Sequence, residues 1–465
     1  MKSSFLPSLR RCLVLVLFLT ATSFAVDEAR KESAPYPWKA GVASVRITPE
    51  EPIWMAGYAS RDKPSEGVRQ DLYAKALAIE DGEGGKLVIL ALDLISMPDD
   101  LHEVLSKKLR EEYDIPRERL LINASHTHSG PEIRVSKARH YEVDEERIET
   151  CVRYYEKLRD ELLPNILDEA LAHGKPASLA YSYARCGFAM NRRTPTERGY
   201  INHPYPDGPV DHDVPVLKIT SEDGKLVAVL FGYACHNTTL GFYEICGDYA
   251  GYAQAYIEEA HPEAKALFIT GCGGDQNPYP RRTWALAEQH GRALANAVET
   301  ALQTNFKPVS GPIRASLVDV ELEFAGAPSK EKLEKDAQSS DKYTRNHAQA
   351  LLTEIEEKGA IDLTLDTVVQ AVAFGDSLLL LALPGETVID YALRFKEEFT
   401  GMPVWVAGYS NNMFGYLPSL RVLKEGGYEA GGAFRYGSNK PGAFAENVED
   451  RIVEGVHEAV KAVTR

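Results

Sequence analysis

Residues 120–132 read Leu-Leu-Ile-Asn-Ala-Ser-His-Thr-His-Ser-Gly-Pro-Glu, and this stretch predicts a strand that ends in a functional site. The apolar run at residues 120–122 is typical of a short buried strand. Polar side chains follow at its carboxyl end, where open α/β sheets bind their ligands. If the extended conformation continues, the alternate residues His126 and His128 point to the same side of the sheet. Because neutral imidazole is the commonest protein metal ligand, the pattern suggests a metal site.

The His-x-His segment also has a purely structural interpretation. The flanking Ser and Thr hydroxyls could make His126 and His128 part of a hydrogen-bonded strand end that ties down a loop. The Ser129-Gly130-Pro131 sequence favours a turn under either interpretation. Further ligand residues elsewhere in the chain would favour the metal site.

The first 25 residues have the composition of a secretory signal peptide. Basic residues at Lys2, Arg10 and Arg11 precede an apolar run over residues 12–25, which is too short to span a membrane and ends in Ser-Phe-Ala. We therefore expect a secreted or periplasmic protein with no transmembrane segment in the mature chain. Cleavage after Ala25 would take the formal net charge from −16 to −19. Such an acidic chain is not expected to bind nucleic acid.

Cysteine usage does not indicate a disulfide framework. Loss of Cys12 with the leader leaves five cysteines, an odd number, so at least one thiol must stay free. Cys235 and Cys246 could form a disulfide, or Cys235 could be a small core residue in the apolar strand before His236.

The remaining chain predicts a single large α/β domain. Its composition, 44% hydrophobic and 26% charged over 465 residues, is that of a soluble globular protein. Residues 26–40 are charged and contain prolines, so we predict a flexible segment before a domain at residues 41–465. Strand and helix patterns alternate, and hairpin patterns at residues 74–94, 214–235 and 367–383 add antiparallel pairs. The predicted fold is a mixed β-sheet core with helices packed on its faces and the active site at strand ends. Helices are predicted at residues 99–112, 143–173, 250–260, 282–304, 330–358, 388–399 and 443–463.

Three further polar residues follow apolar strand patterns: His236, Glu386 and Tyr416. Each alone is weak evidence, because a histidine that ends a buried strand is often a satisfied core group. A Gly-Glu pair before a helix is often only an anion favoured by the helix dipole. Together with His126, however, they would bring two imidazoles, a carboxylate and a phenol to one sheet edge. This donor set suits Zn²⁺.

The order of these motifs resembles the neutral ceramidase family, the zinc-dependent amidases that split ceramide into sphingosine and a fatty acid. The resemblance covers most of the predicted mature chain. The matching motifs are Arg46-Ile47-Thr48-Pro49, Gly57-Tyr58, Ala74-Lys75-Ala76, the His-Thr-His-Ser-Gly-Pro run, Asn191-Arg192, residues 211–213, His236, Gly251-Tyr252-Ala253, Pro384-Gly385-Glu386, and Tyr416 with Tyr428.

The resemblance implies a role for each site residue. One Zn²⁺ per chain would be held by His126, His236, Glu386 and Tyr416. His128 would stand beside the metal-bound water, and Tyr428 would donate to a developing oxyanion. Arg192 matches an arginine at the edge of the family's active site. A merely structural hydrogen bond is the alternative for Arg192, His128 and Tyr428.

Two departures from the family pattern change the expected chemistry. The family's Gly-Asp-Val-Ser-Pro-Asn motif, whose Ser is usually assigned as nucleophile, corresponds here to Gly274-Asp275-Gln276-Asn277-Pro278. A carboxamide cannot attack a carbonyl, so we expect metal-activated water to replace the serine, with Asn277 and Tyr428 stabilising the oxyanion. The family's C-terminal immunoglobulin-like domain is expected to be absent, because no further strand pattern follows the last predicted helix.

The sequence predicts a secreted zinc-dependent amide hydrolase that acts on ceramide or a related N-acyl lipid. Two alternatives remain open. One is a zinc hydrolase of a non-lipid N-acylated sugar or peptide, and the other is a catalytically inactive zinc-containing binding protein. The sequence does not determine the oligomeric state.

Overall fold

The computed structural model describes residues 37–437 and 440–464, which belong to one compact unit. The predicted signal peptide lies outside the described residues. None of the helices within them is both long and apolar enough for a membrane span.

The strands and helices follow in this order along the chain. The strands are β1 (Trp38–Arg46), β2 (Gly67–Val68), β3 (Tyr73–Glu80), β4 (Lys86–Leu92), β5 (Leu120–Ala124), β6 (Lys175–Arg185), β7 (Ala189–Thr196), β8 (Gly199–Tyr205), β9 (Asp213–Ser221), β10 (Leu226–Tyr233), β11 (Glu244–Ile245), β12 (Lys265–Thr270), β13 (Gln276–Pro278), β14 (Lys307–Val309), β15 (Ile313–Glu323), β16 (Thr364–Phe374), β17 (Leu378–Ala382), β18 (Glu386–Thr387), β19 (Val404–Ala407) and β20 (Tyr416–Leu417). The α-helices are α1 (Asp99–Tyr113), α2 (Val135–His140), α3 (Glu145–Lys157), α4 (Leu163–Ala172), α5 (Asp248–Ala260), α6 (Trp284–Leu302), α7 (Lys330–Asp336), α8 (Lys342–Lys358), α9 (Ile389–Glu398), α10 (Leu420–Glu425) and α11 (Val448–Val463). Shorter 3₁₀ or π segments lie at Arg117–Arg119, Leu158–Leu162, Tyr428–Gly432 and Phe434–Tyr436.

Two mixed sheets form the centre of the fold. The larger has the strand order β12-β10-β9-β6-β1-β3-β4-β5, with β14 also paired to β6, and the smaller has the order β15-β16-β17-β19. The pairs β4/β5, β10/β12 and β17/β19 are parallel, whereas the three predicted hairpins are antiparallel. The predicted mixed α/β class is therefore confirmed.

The two sheets pack face to face, with helices on both outer sides. Trp38 of the larger sheet meets Phe374 of the smaller, at 6.0 Å between ring centroids, within a buried apolar layer between the sheets. Helices α1, α3, α4, α5 and α6 cover the outer face of the larger sheet, while α9 and α11 cover that of the smaller. The prediction of one sheet with helices on its faces was therefore wrong about the number of sheets. The strands β16 and β17 are buried on both faces, so their apolar runs give no sign of which layer lies on each side.

Three boundaries differ from the sequence prediction. Strand β1 begins at Trp38, whose indole nitrogen donates to the carbonyl oxygen of Val309, so residues 38–40 belong to the sheet and not to a flexible segment. The helix predicted over residues 330–358 is two helices, because the side chain of Asp341 caps α8 by accepting from the Thr344 backbone N–H. The helix predicted over residues 143–173 contains a π turn at Leu158–Leu162.

Asn123, at the end of β5, joins strand ends of both sheets. Its side-chain nitrogen donates to the carbonyl oxygen of Gly408 at 2.8 Å, and its side-chain oxygen accepts from the backbone N–H of Thr270 at 2.7 Å. Thr270 ends β12 of the larger sheet, and Gly408 follows β19 of the smaller. Because the carboxamide is fully buried, these bonds fix the relative positions of the loops that follow the strands.

Candidate metal centre and active-site cavity

His126 lies in a turn and not in a continued strand. Strand β5 ends at Ala124, and His126 has a left-handed backbone with φ of 59°. Its backbone N–H donates to Leu94 at 2.9 Å, and its Nδ1 lies 2.6 Å from the carbonyl oxygen of Ile95. The expectation that strand geometry aligns His126 with His128 was therefore wrong. A turn brings the two rings together, with 3.1 Å between their Nε2 atoms.

His236 is held in the same way after β10. Its Nδ1 lies 2.7 Å from the carbonyl oxygen of Gly273, and its ring is 1% exposed. A carbonyl oxygen only accepts hydrogen bonds, so the Nδ1 atoms of His126 and His236 both carry the proton. The Nε2 atom of each ring is left with a lone pair directed into the site.

Glu386 and Tyr416 come from the smaller sheet's side of the site. They are partners in the short parallel pair β18/β20. The Oε2 atom of Glu386 lies 3.0 Å from His236 Nε2 and 3.4 Å from His126 Nε2. The hydroxyl of Tyr416 lies 3.2 Å from His236 Nε2. The four side chains predicted to bind zinc thus meet at the junction of two sheets and not along one sheet edge.

This cluster fits a divalent cation. Two imidazole lone pairs and a carboxylate oxygen face one another, and none of the three has a proton to offer the others. Zinc bonds of ~2.0–2.1 Å in a tetrahedron place ligand atoms roughly 3.3 Å apart, close to the distances between these atoms. Burial, reinforced by Arg192, lowers the pKa of His236 to about 4, so its imidazole is neutral at pH 7 and can bind a metal.

His128 belongs to the same cluster but is held differently. His126, His128 and His236 form a group that could bind a metal ion. The His128 ring packs on Gly57 and on the Tyr58 ring, at 4.9 Å between ring centroids. Gly57 has φ of 102°, and a Cβ there would lie 2.5 Å from the imidazole. The buried Nδ1 of His128 has no hydrogen-bond partner among the described residues, whereas metal-bound histidines almost always have one.

Arg192 lies behind the cluster and not at its solvent edge. Its side chain is 4% exposed, and it donates to the Tyr416 hydroxyl at 2.9 Å. It also donates to the carboxylate of Glu429 at 2.9 Å. Burial raises the pKa of Tyr416 well above its usual value, and the guanidinium of Arg192 opposes that effect. Arg192 therefore orients a predicted metal ligand and has no access to the cavity.

Asn277 is fully buried beside Arg192 and Thr238, which both donate to its Oδ1 at 3.2 Å. Its Nδ2 lies 3.2 Å from Asn202 Oδ1 and 3.3 Å from the Tyr279 hydroxyl. Both amide hydrogens are thus engaged within the chain, and Asn277 is not among the residues that line the cavity. The expectation that Asn277 donates to an oxyanion is not supported by this geometry. It supports Arg192 instead.

A cavity of about 1190 Å³ opens onto the cluster. Its lining includes His126, His128, Glu386, Tyr416 and Tyr428. Tyr428 lines the cavity and is 40% exposed, and its ring is 5.3 Å from that of Tyr416. Further apolar and aromatic lining residues are Tyr58, Ile95, Met97, Ile133, Tyr141, Met413, Phe414 and Tyr436.

Two residues of the site were not predicted from the sequence. Glu429 directly follows Tyr428 and accepts from both Arg192 and Arg193. Tyr409 follows β19, with its hydroxyl 3.3 Å from His236 Nδ1 and its ring 4.7 Å from that of His126. The available signal for Tyr409 was its place in a polar run, Gly408-Tyr409-Ser410-Asn411, at a strand end.

Solved structures share this fold at low sequence identity. The neutral ceramidase from Pseudomonas aeruginosa matches with a TM-score of 0.67 and 18% identity over 90% of this chain and 72% of that one. A ceramidase described as complexed with C2 matches with a TM-score of 0.68 over 92% and 76% of the two chains. At 18% identity these matches establish the fold alone.

Sequence comparison identifies the family. Neutral ceramidase from Pseudomonas aeruginosa is 24% identical over 323 residues, and that from Drosophila melanogaster is 22% identical over 240 residues. These matches cover 67% and 48% of this chain but only 42% and 32% of the relatives. The model of the neutral/alkaline non-lysosomal ceramidase N-terminal region matches residues 38–278, more than half of the chain. The chain belongs to the neutral/alkaline non-lysosomal ceramidase family.

Proposed function

We propose that this protein is a zinc-dependent amidase that hydrolyses the N-acyl bond of ceramide or a related N-acyl lipid. The observation that carries the proposal is the meeting of His126 Nε2, His236 Nε2 and a Glu386 carboxylate oxygen at the end of a large cavity. Family membership supports amide hydrolysis, and the name of the relatives suggests ceramide. We also propose that the chain is exported, on the sequence of residues 1–25.

Four residues would hold the metal in this proposal: His126, His236, Glu386 and Tyr416. Zn²⁺ bound there would polarise the substrate carbonyl and acidify a water molecule. The protein's part is to keep the donor atoms in place. The carbonyl oxygens of Ile95 and Gly273 orient the imidazoles, and Arg192 holds the Tyr416 hydroxyl.

His128 is the residue we propose for proton transfer. Burial lowers the pKa of His128 well below the usual value, so its resting state is neutral. As water adds to the carbonyl carbon, His128 accepts its proton, and it then gives that proton to the amine nitrogen while the C–N bond breaks. A low pKa favours the second transfer, because the imidazolium is then a strong acid. The products are a carboxylate and an amine.

The oxyanion would be stabilised by Tyr428, which lies at the cavity and has a hydroxyl that can donate. Apolar lining residues such as Met97, Ile133 and Phe414 support a lipid acyl group. The tyrosines Tyr141 and Tyr436 favour a second candidate, an N-acylated sugar, because aromatic rings stack on sugar faces.

Zinc content and substrate hydrolysis test the proposal together. We expect purified protein to carry about one Zn²⁺ per chain, since the donor set is two imidazoles, a carboxylate and a phenol. Elemental analysis measures the metal. Release of amine from ceramide, N-acylated glucosamine and N-acyl peptides, before and after chelation, measures function. Hydrolysis of ceramide that chelation abolishes and zinc restores is the expected result. Less than about a tenth of an equivalent of zinc, or turnover of no compound, would contradict the proposal.

Water attack predicts that no acyl-enzyme accumulates. Asn277 occupies the position of the family's serine and is buried outside the cavity lining, so it provides no nucleophile. Rapid quench followed by intact-protein mass spectrometry should show only the unmodified mass during turnover. An adduct of acyl mass on any side chain would show that a covalent route operates.

A further inference from the structure

Lys137 places a positive charge in the cavity that opens onto the metal site. It lies on α2 and forms no ion pair with the described residues. A Cβ at Gly437, where φ is 125°, would lie 2.6 Å from the lysine Cγ, so the absence of a side chain there allows the lysine stem to pack closely. The ammonium lies 5.9 Å from the centre of the Tyr141 ring. Packing therefore fixes the path of this side chain along the cavity wall.

The neighbouring charges do not neutralise Lys137. Arg134 also lines the cavity, but two of its nitrogens donate to the carboxylate of Glu132, each at 2.7 Å. Glu386 is committed to the proposed metal site. Asp366 lines the cavity as well and is exposed to solvent, where water screens its charge.

We infer that Lys137 binds an anionic group on the substrate, so the preferred substrates are N-acyl compounds that carry a carboxylate, sulfate or phosphate. This inference rests on the proposed function, since it concerns the substrate of the same cavity. A lysine ammonium is a strongly hydrated point charge, and its removal from water is unfavourable unless an anion takes the place of that water. Burial, with a smaller contribution from Arg134, lowers the pKa of Lys137 to about 8. Glu132 and Glu386 raise this pKa, but they offset only part of the effect of burial.

Substrates that share one acyl chain and differ in the charged group on the amine side test the inference. N-dodecanoylglycine carries a carboxylate on the amine side, N-dodecanoylethanolamine is neutral, and its O-phosphate ester carries a phosphate. We expect kcat/KM of the wild-type protein to be about ten- to a hundredfold higher for an anionic compound than for the neutral one, as for a hydrogen bond to a charged group. The two anionic compounds show which anion is preferred.

Variants of Lys137 test whether this lysine causes the preference for anionic substrates. In Lys137→Met, the ratio of kcat/KM for an anionic compound to kcat/KM for the neutral compound should be close to one. Lys137→Arg should keep most of the wild-type ratio. Lys342→Met is the matched control, because Lys342 bonds the Tyr141 carbonyl oxygen from outside the cavity lining. This control removes the same charge from nearby and should leave the ratio unchanged. Zinc content and unfolding temperature verify that each variant is folded.

Two results would overturn the inference: a wild-type preference for the neutral compound, or an unchanged ratio in Lys137→Met. Hydrolysis of none of the compounds would instead contradict the proposed function. In that case, isothermal titration with the same compounds still measures the ratio of their dissociation constants. A ratio that Lys137→Met abolishes would support the anion site, and a ratio that it preserves would refute it.

Discussion

His126→Ala should lose both its zinc and its hydrolytic activity, whereas His128→Ala should keep the zinc and lose activity alone. The Nδ1 of His126 is bonded to the Ile95 carbonyl oxygen, which directs its Nε2 lone pair at the site. The buried Nδ1 of His128 has no hydrogen-bond partner among the described residues. Loss of a general acid or base lowers a rate roughly 10²- to 10⁴-fold, so we expect the hydrolysis rate of His128→Ala to be lower than that of wild type by a factor in that range. The hydrolysis rate of His126→Ala should be lower still, because this variant removes a metal ligand.

Rate and zinc content must be measured on the same preparations of both variants. His102→Gln serves as control, because His102 is also a buried histidine, with its Nε2 3.3 Å from the Leu120 carbonyl oxygen, and does not line the cavity. It should retain zinc and activity. If His128→Ala loses zinc while His126→Ala keeps it, the ligand and the proton-transfer residue must exchange roles.

The sequence was sufficient to find the residues that surround the proposed metal. His126, His236, Glu386 and Tyr416 all follow apolar runs, and a buried strand is recognisable from such a run. Strand ends are also where side chains from distant parts of a chain can meet. Alternation along an extended strand did not predict how His126 and His128 come together, because the left-handed backbone at His126 depends on hydrogen bonds to residues 94 and 95.

Contacts behind the site could not be found from the sequence. Arg192 and Glu429 are 237 residues apart, and a charged residue in a sequence is expected at the surface unless a partner is known. The second sheet was missed for a related reason. Val372 and Leu380 are buried in the layer between the sheets, but a strand that is apolar on both faces shows only that something covers it.

Glu429→Gln should destabilise the protein by about 3–5 kcal/mol, the usual loss when one partner of a buried ion pair is removed. The Glu429 carboxylate is 4% exposed and accepts from Arg192 Nε at 2.9 Å and from Arg193 Nη1 at 2.6 Å. The variant leaves two buried guanidinium groups without their shared anion. Glu425→Gln is the matched control, since Glu425 also pairs with Arg193, at 3.1 Å, but is 17% exposed. The loss of stability in Glu425→Gln should be smaller than in Glu429→Gln, because Glu425 is more exposed and Arg193 keeps its bond to Glu429. Urea unfolding at pH 7 measures the loss of stability in both variants.

The difference in unfolding free energy between wild type and Glu429→Gln should depend on pH if its cause is electrostatic. Burial raises the pKa of Glu429, but the charges of Arg192 and then Arg193 outweigh burial and hold it below the usual value. A carboxylate with a lowered folded-state pKa contributes its full stabilisation above the unfolded pKa of about 4.3, and that contribution is lost as pH falls through the folded value. The stability difference between wild type and Glu429→Gln should therefore be constant between about pH 6 and 7 and shrink in more acidic solution. A stability difference that stays constant into acid would mean that packing and not charge holds Arg192 against Tyr416. An equal loss of stability in Glu425→Gln would mean that the deeper burial of Glu429 adds nothing to the strength of its ion pairs.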